Sequence, residues 1–142
     1  MGISHGALEL EQPVLGSIPF EAEQRFAASL RGDKENAVVH VKGAVERLLS
    51  MCTTMETAQG QRPLDAEEIQ NAANDLAKNG FRVPAFASGS VPQEQEGLQS
   101  AQLRELSFLG LVGMIDPLRP EAKAAVAACQ RAGVHVAMVT GD

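Results

Sequence analysis

Three residues near the end of the sequence combine the groups with which proteins hold phosphate. Thr140 supplies a hydroxyl, Gly141 a flexible backbone and Asp142 a carboxylate, and they follow an apolar run at 134–139. In open α/β sheets, ligands bind beyond the carboxyl ends of the strands. The pattern predicts a phosphate-binding loop at the tip of a buried strand, and a chain that is a piece of a larger protein.

The histidines and cysteines show no spacing typical of a metal site. Cys52 and Cys129 lie far apart, without a Cys-x-x-Cys or Cys/His pattern, so we expect no metal ligands and two small, buried, apolar side chains. His5, His40 and His135 are scattered along the chain, and no catalytic role is assigned to them.

The composition argues against binding of nucleic acid and against insertion in a membrane. The 142 residues carry a formal net charge of −6, whereas proteins that bind DNA or RNA rely on clustered Lys and Arg, so no nucleic acid is expected. No apolar stretch reaches the roughly 18 residues of a membrane span, and no signal peptide is apparent. We therefore expect a soluble chain that is not inserted in a membrane.

The first elements that position these groups are predicted to be a hairpin and a helix. Residues 25–30 and 37–41 have strand-like patterns and are joined by a polar link at 32–36. Lys42 and Gly43 end the second strand. A helix is predicted next, because apolar residues then recur at helical spacing. They are Ala44, Val45, Leu48, Leu49 and Cys52.

A second helix is predicted over residues 66–79. Asp65 is in the N-cap position with Glu68 three residues later, and Gly80 suits the left-handed conformation that ends helices. The inner face of this helix is predicted to consist of Ile69, Ala72, Ala73, Leu76 and Ala77.

Residues 81–87 are predicted to form the next strand, and Pro84 places that strand at a sheet edge or beside a bulge because proline has no N–H to donate. Residues 88–102 are rich in Ser, Gly, Gln, Glu and Pro, which predicts a flexible surface loop or a domain connection.

The last third of the sequence is predicted to form a β-α-β unit. Residues 106–115 are almost continuously apolar, which is typical of a strand covered on both faces. Pro117 and Pro120 bracket the start of a helix that Gly133 ends, and residues 134–139 then form a second, parallel strand. The buried face of the helix is predicted to be Ala122, Ala125, Val126, Cys129 and Ala132.

Five segments, in this order, resemble the P-type cation-transporting ATPases, above all the type II bacterial members that are similar to calcium pumps. Residues 18–25 resemble the Pro-Phe-(Asp/Glu)-Ser-Glu stretch of that family, residues 41–44 its Lys-Gly-Ala motif and residues 80–83 its Gly-Leu-Arg-Val segment. Residues 110–120 and 138–142 resemble the region where the family's chain re-enters the phosphorylation domain. The ordered set is far more specific than any one motif.

The resemblance implies a mixed α+β and α/β fold in two parts. Residues 1–104 would be a nucleotide-binding domain truncated at its start, with an antiparallel sheet flanked by helices. Residues 105–142 would be the first Rossmann-like β-α-β unit of a haloacid-dehalogenase-like phosphorylation domain, truncated at its end.

The resemblance also implies an adenine pocket. Phe20 would stack its ring on the base, because a purine needs an apolar face more than it needs hydrogen bonds. Lys42 would lie at the back of the pocket beside Gly43, whose missing side chain allows close backbone approach. Without the resemblance, Phe20 is equally an ordinary core residue and Lys42 a solvated lysine at a strand end.

The resemblance implies that other charged residues bind the phosphates of the nucleotide or respond to them. Arg82 would donate to a nucleotide phosphate with its forked guanidinium, and Arg25 would add a second positive charge. Glu23 would either bond the base or balance Arg25. Asp116 and Arg119 would lie at an interdomain hinge that responds to phosphate and nucleotide, with helix capping as the alternative for Asp116.

Thr140, Gly141 and Asp142 would contact the transferred phosphoryl group or the nucleotide. The sequence contains neither the Asp-Lys-Thr-Gly-Thr phosphorylation motif nor the Gly-Asp-Gly-x-Asn-Asp magnesium motif of the family. Phosphoryl transfer needs a nucleophile and Mg²⁺, so we expect no catalytic residue here, no turnover of ATP by this chain alone, and Mg²⁺ ligands outside it.

Three positions depart from the family pattern. Ala27 and Pro84 stand where larger apolar residues are usual, and Leu118 replaces a proline, but none of these changes removes a polar ligand.

The implied function is to bind ATP in the head of a cation pump at the cytoplasmic face of the cell membrane, where other domains form an aspartyl-phosphate and move the ion. Calcium is the first guess for that ion, and sodium or potassium the second, by analogy alone. The alternatives are a soluble phosphatase of the haloacid-dehalogenase type and a non-catalytic nucleotide-binding regulatory module. Unpaired strand edges also predict self-association.

Overall fold

The computed structural model describes residues 12–33, 36–91, 97–117 and 119–139. Within them the strands are β1 (Val14–Ile18), β2 (Phe26–Arg31), β3 (Val38–Gly43), β4 (Cys52–Thr57), β5 (Gly60–Pro63), β6 (Ala85–Ser90) and β7 (Leu106–Leu111). The α-helices are α1 (Val45–Leu49), α2 (Ala66–Lys78) and α3 (Pro120–Arg131), and a 3-10 helix spans Ser100–Gln102.

The strands form one sheet in the order β1-β2-β3-β6-β7-β4-β5. Neighbouring strands are antiparallel, except that β7 and β4 run parallel. The order departs from the sequence because α1, the β4–β5 hairpin and α2 lie between β3 and β6 in the chain. β6 and β7 then return to the middle of the sheet, so the central strands come from distant parts of the sequence.

One face of the sheet is covered and the other is open. Phe26, Val39 and Leu106 point to the covered face and are fully buried, and α1 packs there with its own buried Leu48. The residues that alternate with the buried ones on β2, β3, β6 and β7 are half-buried or exposed. We call this second surface the open face; it consists of Ala27, Ser29, His40, Lys42, Phe86, Ser88, Ser107 and Leu109.

The β2–β3 hairpin confirms the first prediction. The two strands pair from Phe26 with Gly43 to Arg31 with Val38, and residues 34 and 35 of the predicted polar link lie outside the described residues. The strand bounds differ from the predicted ones by no more than two residues.

The second helix is also confirmed. The Asp65 carboxylate accepts a hydrogen bond from the backbone N–H of Glu68 at 2.9 Å, which caps α2. Gly80 takes the left-handed φ of +81° that the sequence pattern requires. Ile69 and Ala73 are buried on its inner face, whereas Ala72 and Ala77 are exposed.

The prediction that Cys52 belongs to the first helix is wrong. α1 is a short helix that buries Val45 and Leu48, and Cys52 begins β4 instead. β4 continues into the β4–β5 hairpin, where Gly60 has a φ of +110° and the Thr57 hydroxyl donates to the Gly60 carbonyl at 2.7 Å. This hairpin was not predicted.

The strand predicted at 81–87 begins later, at Ala85, and it lies inside the sheet between β3 and β7. The edge alternative for Pro84 is therefore wrong, whereas a bulge does occur between Phe86 and Ala87. Pro84 has no N–H to donate, but its carbonyl accepts a hydrogen bond from the Val112 N–H at 3.0 Å.

The polar region at 88–102 is only partly a loop. Residues 88–90 finish β6, Val91 is buried, and Leu98 packs partly against the core. Residues 92–96 lie outside the described residues.

The strand predicted from residue 106 is confirmed, but its burial on both faces is wrong. Leu106 and Phe108 are buried, whereas Leu109 is 45% exposed because it lies on the open face. The strand also belongs to the same sheet as residues 14–90. The domain boundary at 104/105 stays a prediction.

The β-α-β unit predicted for residues 106–139 is not formed in this structure. α3 is a helix as predicted, but it buries no residue, and residues 134–139 are exposed and form no strand. The physical reason lies in β7, whose two edges are occupied by β6 and β4. A returning strand has no free edge beside β7 with which to pair.

Candidate functional site

The open face contains an apolar cavity of about 270 Å³ in the middle of the sheet. Its floor is built by the hairpin register, which places Lys42 between Ala27 on β2 and Phe86 on β6. Leu109 contributes a further apolar wall from β7. The complete lining is Ala27, Ala28, Ser29, His40, Val41, Lys42, Phe86, Ala87 and Leu109.

The chemistry of this cavity is that of a binding site for a flat, partly apolar molecule. Ala27 and Phe86 give it an apolar floor on either side of Lys42, whose ammonium is an exposed positive charge. Small side chains such as Ala27 leave space above the sheet for a ligand. Small-molecule sites are usually apolar pockets with a few polar groups. The arrangement can hold an aromatic ring and attract a negative charge.

His40 stands on the polar side of the same cavity. Burial lowers the pKa of His40 below its usual value, and the positive charge of Arg31 lowers the pKa further. The imidazole is therefore neutral at pH 7 and presents both a donor and an acceptor.

Gly43 has a structural reason to be glycine. A Cβ atom at this position would lie 2.5 Å from the carbonyl oxygen of Arg25 and 2.7 Å from the Cβ of Phe26. The close backbone approach that was expected at Gly43 is thus made to the neighbouring strand β2. Gly43 does not line the cavity. It pairs with Phe26 at the start of β2, next to the pair of Lys42 with Ala27.

Arg25 is directed away from the cavity. Its guanidinium pairs with the carboxylate of Glu46 at 2.8 Å, and its backbone has a φ of 59°. The partner of Arg25 is therefore Glu46, whereas the sequence suggested Glu23. Glu23 and Arg25 line a separate polar depression together with Gln24, Glu46, Arg47 and Ser50.

Phe20 lies in the turn between β1 and β2 with 63% of its surface exposed. The alternative that it is an ordinary core residue is therefore wrong. Phe20 is not part of the cavity lining, so its ring is available at the surface without being held against the cavity.

Arg82 lies three residues before β6, where its backbone pairs with Met114 through two hydrogen bonds of 2.8 Å. Its side chain is exposed and does not line the cavity. Of the six residues predicted to bind nucleotide, the structure places Lys42 alone in the described cavity lining.

The predicted hinge residues Asp116 and Arg119 are both exposed. Arg119 occupies the N-cap position of α3 and Pro120 begins the helix, so the alternative role of Asp116 as the helix cap is wrong. Thr140, Gly141 and Asp142 lie outside the described residues.

The cysteines differ in their surroundings. Cys52 is buried as predicted, and burial raises the pKa of its thiol to about 11, so it is an unreactive apolar side chain. Cys129 is only half-buried on α3. Among the described residues there is no cluster of His, Cys, Asp and Glu that could hold a metal ion.

Sequence reasoning missed His40, Phe86 and Leu109 as members of a site. The signal for His40 was present, because alternation along residues 37–41 puts it on the face opposite the buried valines. Phe86 and Leu109 reach the cavity through the pairing of β3 with β6 and of β6 with β7, which the sequence does not reveal.

Comparison with known proteins shows the family of this chain. The sequence profile of the P-type ATPase cytoplasmic domain N matches residues 1–121. The chain belongs to the P-type ATPase family. This P-type ATPase chain forms a mixed sheet with few helices and has a cavity on the open face.

Relatives of this P-type ATPase chain bear the names of ion pumps. Cation-transporting ATPase pma1 of Synechocystis sp. is 43% identical over 99% of the chain, which covers 16% of that protein. Probable cation-transporting ATPase F of Mycobacterium tuberculosis is 38% identical, with the same coverage of 99% and 16%. Calcium-transporting ATPase 9 of Arabidopsis thaliana is 36% identical over 100% of the chain and 14% of its own length.

The chain therefore spans about one sixth, or less, of the length of these relatives. In the part of it that the structure describes, no helix has the length and apolar character needed to cross a membrane.

Proposed function

We propose that this chain is the ATP-binding part of an ATP-driven cation pump, and that the base of ATP binds in the cavity on the open face. The observation that carries the proposal is the placement of Lys42 in an apolar cavity between Ala27 and Phe86, within a chain of the P-type ATPase family. The apolar floor suits a purine ring, and the Lys42 ammonium suits a nucleotide that carries negative charge.

Two further residues complete the proposed site. The exposed ring of Phe20 covers the outer side of the base, since 63% of its surface is free to contact a ligand. Arg82 donates to a distal phosphate from its position before β6, since its exposed guanidinium forms no ion pair among the described residues. Glu23 and Arg25 are placed at the periphery, where Arg25 is already paired with Glu46.

In the whole pump, we propose that residues outside this chain supply the aspartate that accepts the phosphoryl group and the ligands of Mg²⁺, which neutralises phosphate charge. Residues 105–142 belong to the domain that receives the phosphate, with Asp116 and Arg119 at the hinge and Thr140, Gly141 and Asp142 at the phosphate. The site faces the cytoplasm beside the cell membrane. Calcium is the first candidate for the transported ion, and sodium or potassium the second.

The proposal is tested by titrating the isotope-labelled chain with ATP and following backbone amide signals. We expect the amides of Ala27, Lys42 and Phe86 to shift, with a dissociation constant of about 1 mM, because few contacts offset the cost of ordering. Lys42→Ala should weaken binding several-fold. Lys78→Ala is the matched control, since Lys78 is an exposed lysine of α2 that does not line the cavity and pairs with Asp75.

A lack of shifts around the cavity at saturating ATP would contradict the proposed site. Phosphate release by the chain above the rate of a heat-denatured sample would contradict the proposal that residues outside this chain supply the nucleophile.

A further inference from the structure

A polar row runs from the edge strand β1 across the open face, beside the apolar floor of the cavity. The register pairs Ser17 with Ser29 and Ser29 with His40. It then pairs His40 with Ser88, and Ser88 with Ser107. Five strands thus contribute a line of hydroxyls with one imidazole at its centre, and that imidazole lines the cavity.

His40 differs chemically from the other polar groups around the cavity. Lys42 lies two residues further along β3, about 6.5 Å away along the strand, and Lys42 can only donate hydrogen bonds. Arg31 is likewise a donor alone. A neutral imidazole can accept, and within the described part of the chain no hydrogen bond occupies the His40 ring.

The groups around His40 favour its neutral form. The charged groups that face it are Arg31 from β2 and Lys42 from its own strand, and both are cations. From β6 and β7 the cavity receives Phe86 and Leu109, which do not titrate. Burial and the positive charge of Arg31 together hold the pKa of His40 low. An acceptor nitrogen is therefore present at neutral pH and is lost in acid.

We propose that His40 is a specificity-determining residue that accepts a hydrogen bond from the amino group of a purine seated on Ala27 and Phe86. The inference rests on the proposed function, which puts the base in this cavity. It means that the site prefers a base with an amino group at this position, as in ATP, over one with a carbonyl oxygen there, as in ITP.

The test compares ATP with ITP, because the two nucleotides carry the same phosphates and their affinity ratio isolates the base. We expect the wild-type chain to prefer ATP by about tenfold at about pH 7.5, the effect of one hydrogen bond of roughly 1.4 kcal/mol. The preference should fall as the pH is lowered through the pKa of His40, which lies below its usual value, because protonation removes the acceptor.

Three variants separate recognition from structure. His40→Ala should lose the preference for ATP at every pH. His40→Gln should lose the pH dependence, since an amide does not titrate, so any preference that remains should be the same at every pH. His135→Gln is the control, because His135 is exposed in the segment after α3, and it should behave like the wild-type chain.

The outcomes distinguish this inference from the function on which it rests. Amide shifts around Ala27, Lys42 and Phe86 with equal affinities for ATP and ITP would overturn the role of His40 and leave the proposed function standing. The same holds if His40→Ala retains the preference. If neither nucleotide shifts those amides, both the proposed function and the role of His40 are overturned.

Discussion

At the scale of single residues, Lys42 and Gly43 of the Lys-Gly-Ala motif have different surroundings in the structure. Lys42 lies in the cavity, whereas Gly43 is required by the backbone of Arg25, 2.5 Å from where a Cβ would be. The sequence indicated correctly that Gly43 permits a close approach, but only the structure shows what approaches it. Neighbouring residues of one short motif can therefore have different roles, with Lys42 proposed to bind the ligand and Gly43 needed for strand packing.

Phe20 and Arg82 provide a prediction at this scale that separates stacking from charge. Phe20→Ala should weaken ATP, ADP and AMP by a similar factor, about fivefold, since an aromatic platform contributes on the order of 1 kcal/mol. Arg82→Ala should weaken ATP more than AMP, because its proposed target is a distal phosphate. Calorimetric or amide-shift titrations with the three nucleotides measure both effects.

Both side chains are largely exposed, so neither substitution should lower the thermal unfolding midpoint appreciably. Equal losses for ATP and AMP in Arg82→Ala would contradict its assignment to a phosphate, and a loss confined to ATP in Phe20→Ala would contradict stacking.

At the scale of secondary-structure elements, what could be predicted depended on local signals. α2 was predictable because its cap, periodicity and terminal glycine are all local, and Asp65 and Gly80 act as expected. The β4–β5 hairpin was missed because Cys52 continues the helical spacing of α1. The β-branched Thr53, Thr54 and Thr57 before Gly60 carried the signal that could have found it.

The cap of α2 gives a prediction for this scale. Asp65→Ala removes the acceptor of the Glu68 N–H and should lower the free energy of unfolding by about 1 kcal/mol. Asp75→Ala is the matched control: it removes a carboxylate from the last turns of the same helix, where its pair with Lys78 is exposed, and should change stability by no more than about 0.5 kcal/mol. Urea denaturation measures both values, and equal effects would contradict the capping argument.

At the scale of the whole molecule, the arrangement of the sheet explains why the second half of the fold was harder to predict. Leu106–Leu111 looks like the first strand of a new unit, yet it fills the gap between β6 and β4. Strand order is a long-range property, and the apolar run at 106–115 carries no information about which strands flank it. The cavity could not be predicted for the same reason, because Phe86 and Leu109 reach it only through that order.

The same arrangement leaves apolar side chains exposed after β7. Val136 is 48% exposed, Met138 89% and Val139 92%, in a segment with no strand partner among the described residues. Leu109 is also exposed, whereas Leu111 packs partly against the core. Exposed apolar segments with unpaired backbone groups favour association with another chain.

We therefore predict that the chain self-associates through residues 134–139. Sedimentation velocity should show a weight-average mass that rises with protein concentration, and a Val136→Asp, Met138→Asp double variant should shift the chain towards monomer, because burying two carboxylates in an interface is costly. Val14→Asp tests the competing surface, since Val14 lies 52% exposed on the edge strand β1. If Val14→Asp abolishes association while the double variant does not, the contact lies at the sheet edge. A mass that stays monomeric at all concentrations, with slow amide exchange through residues 134–139, would show that this segment is covered within one chain and would contradict the prediction.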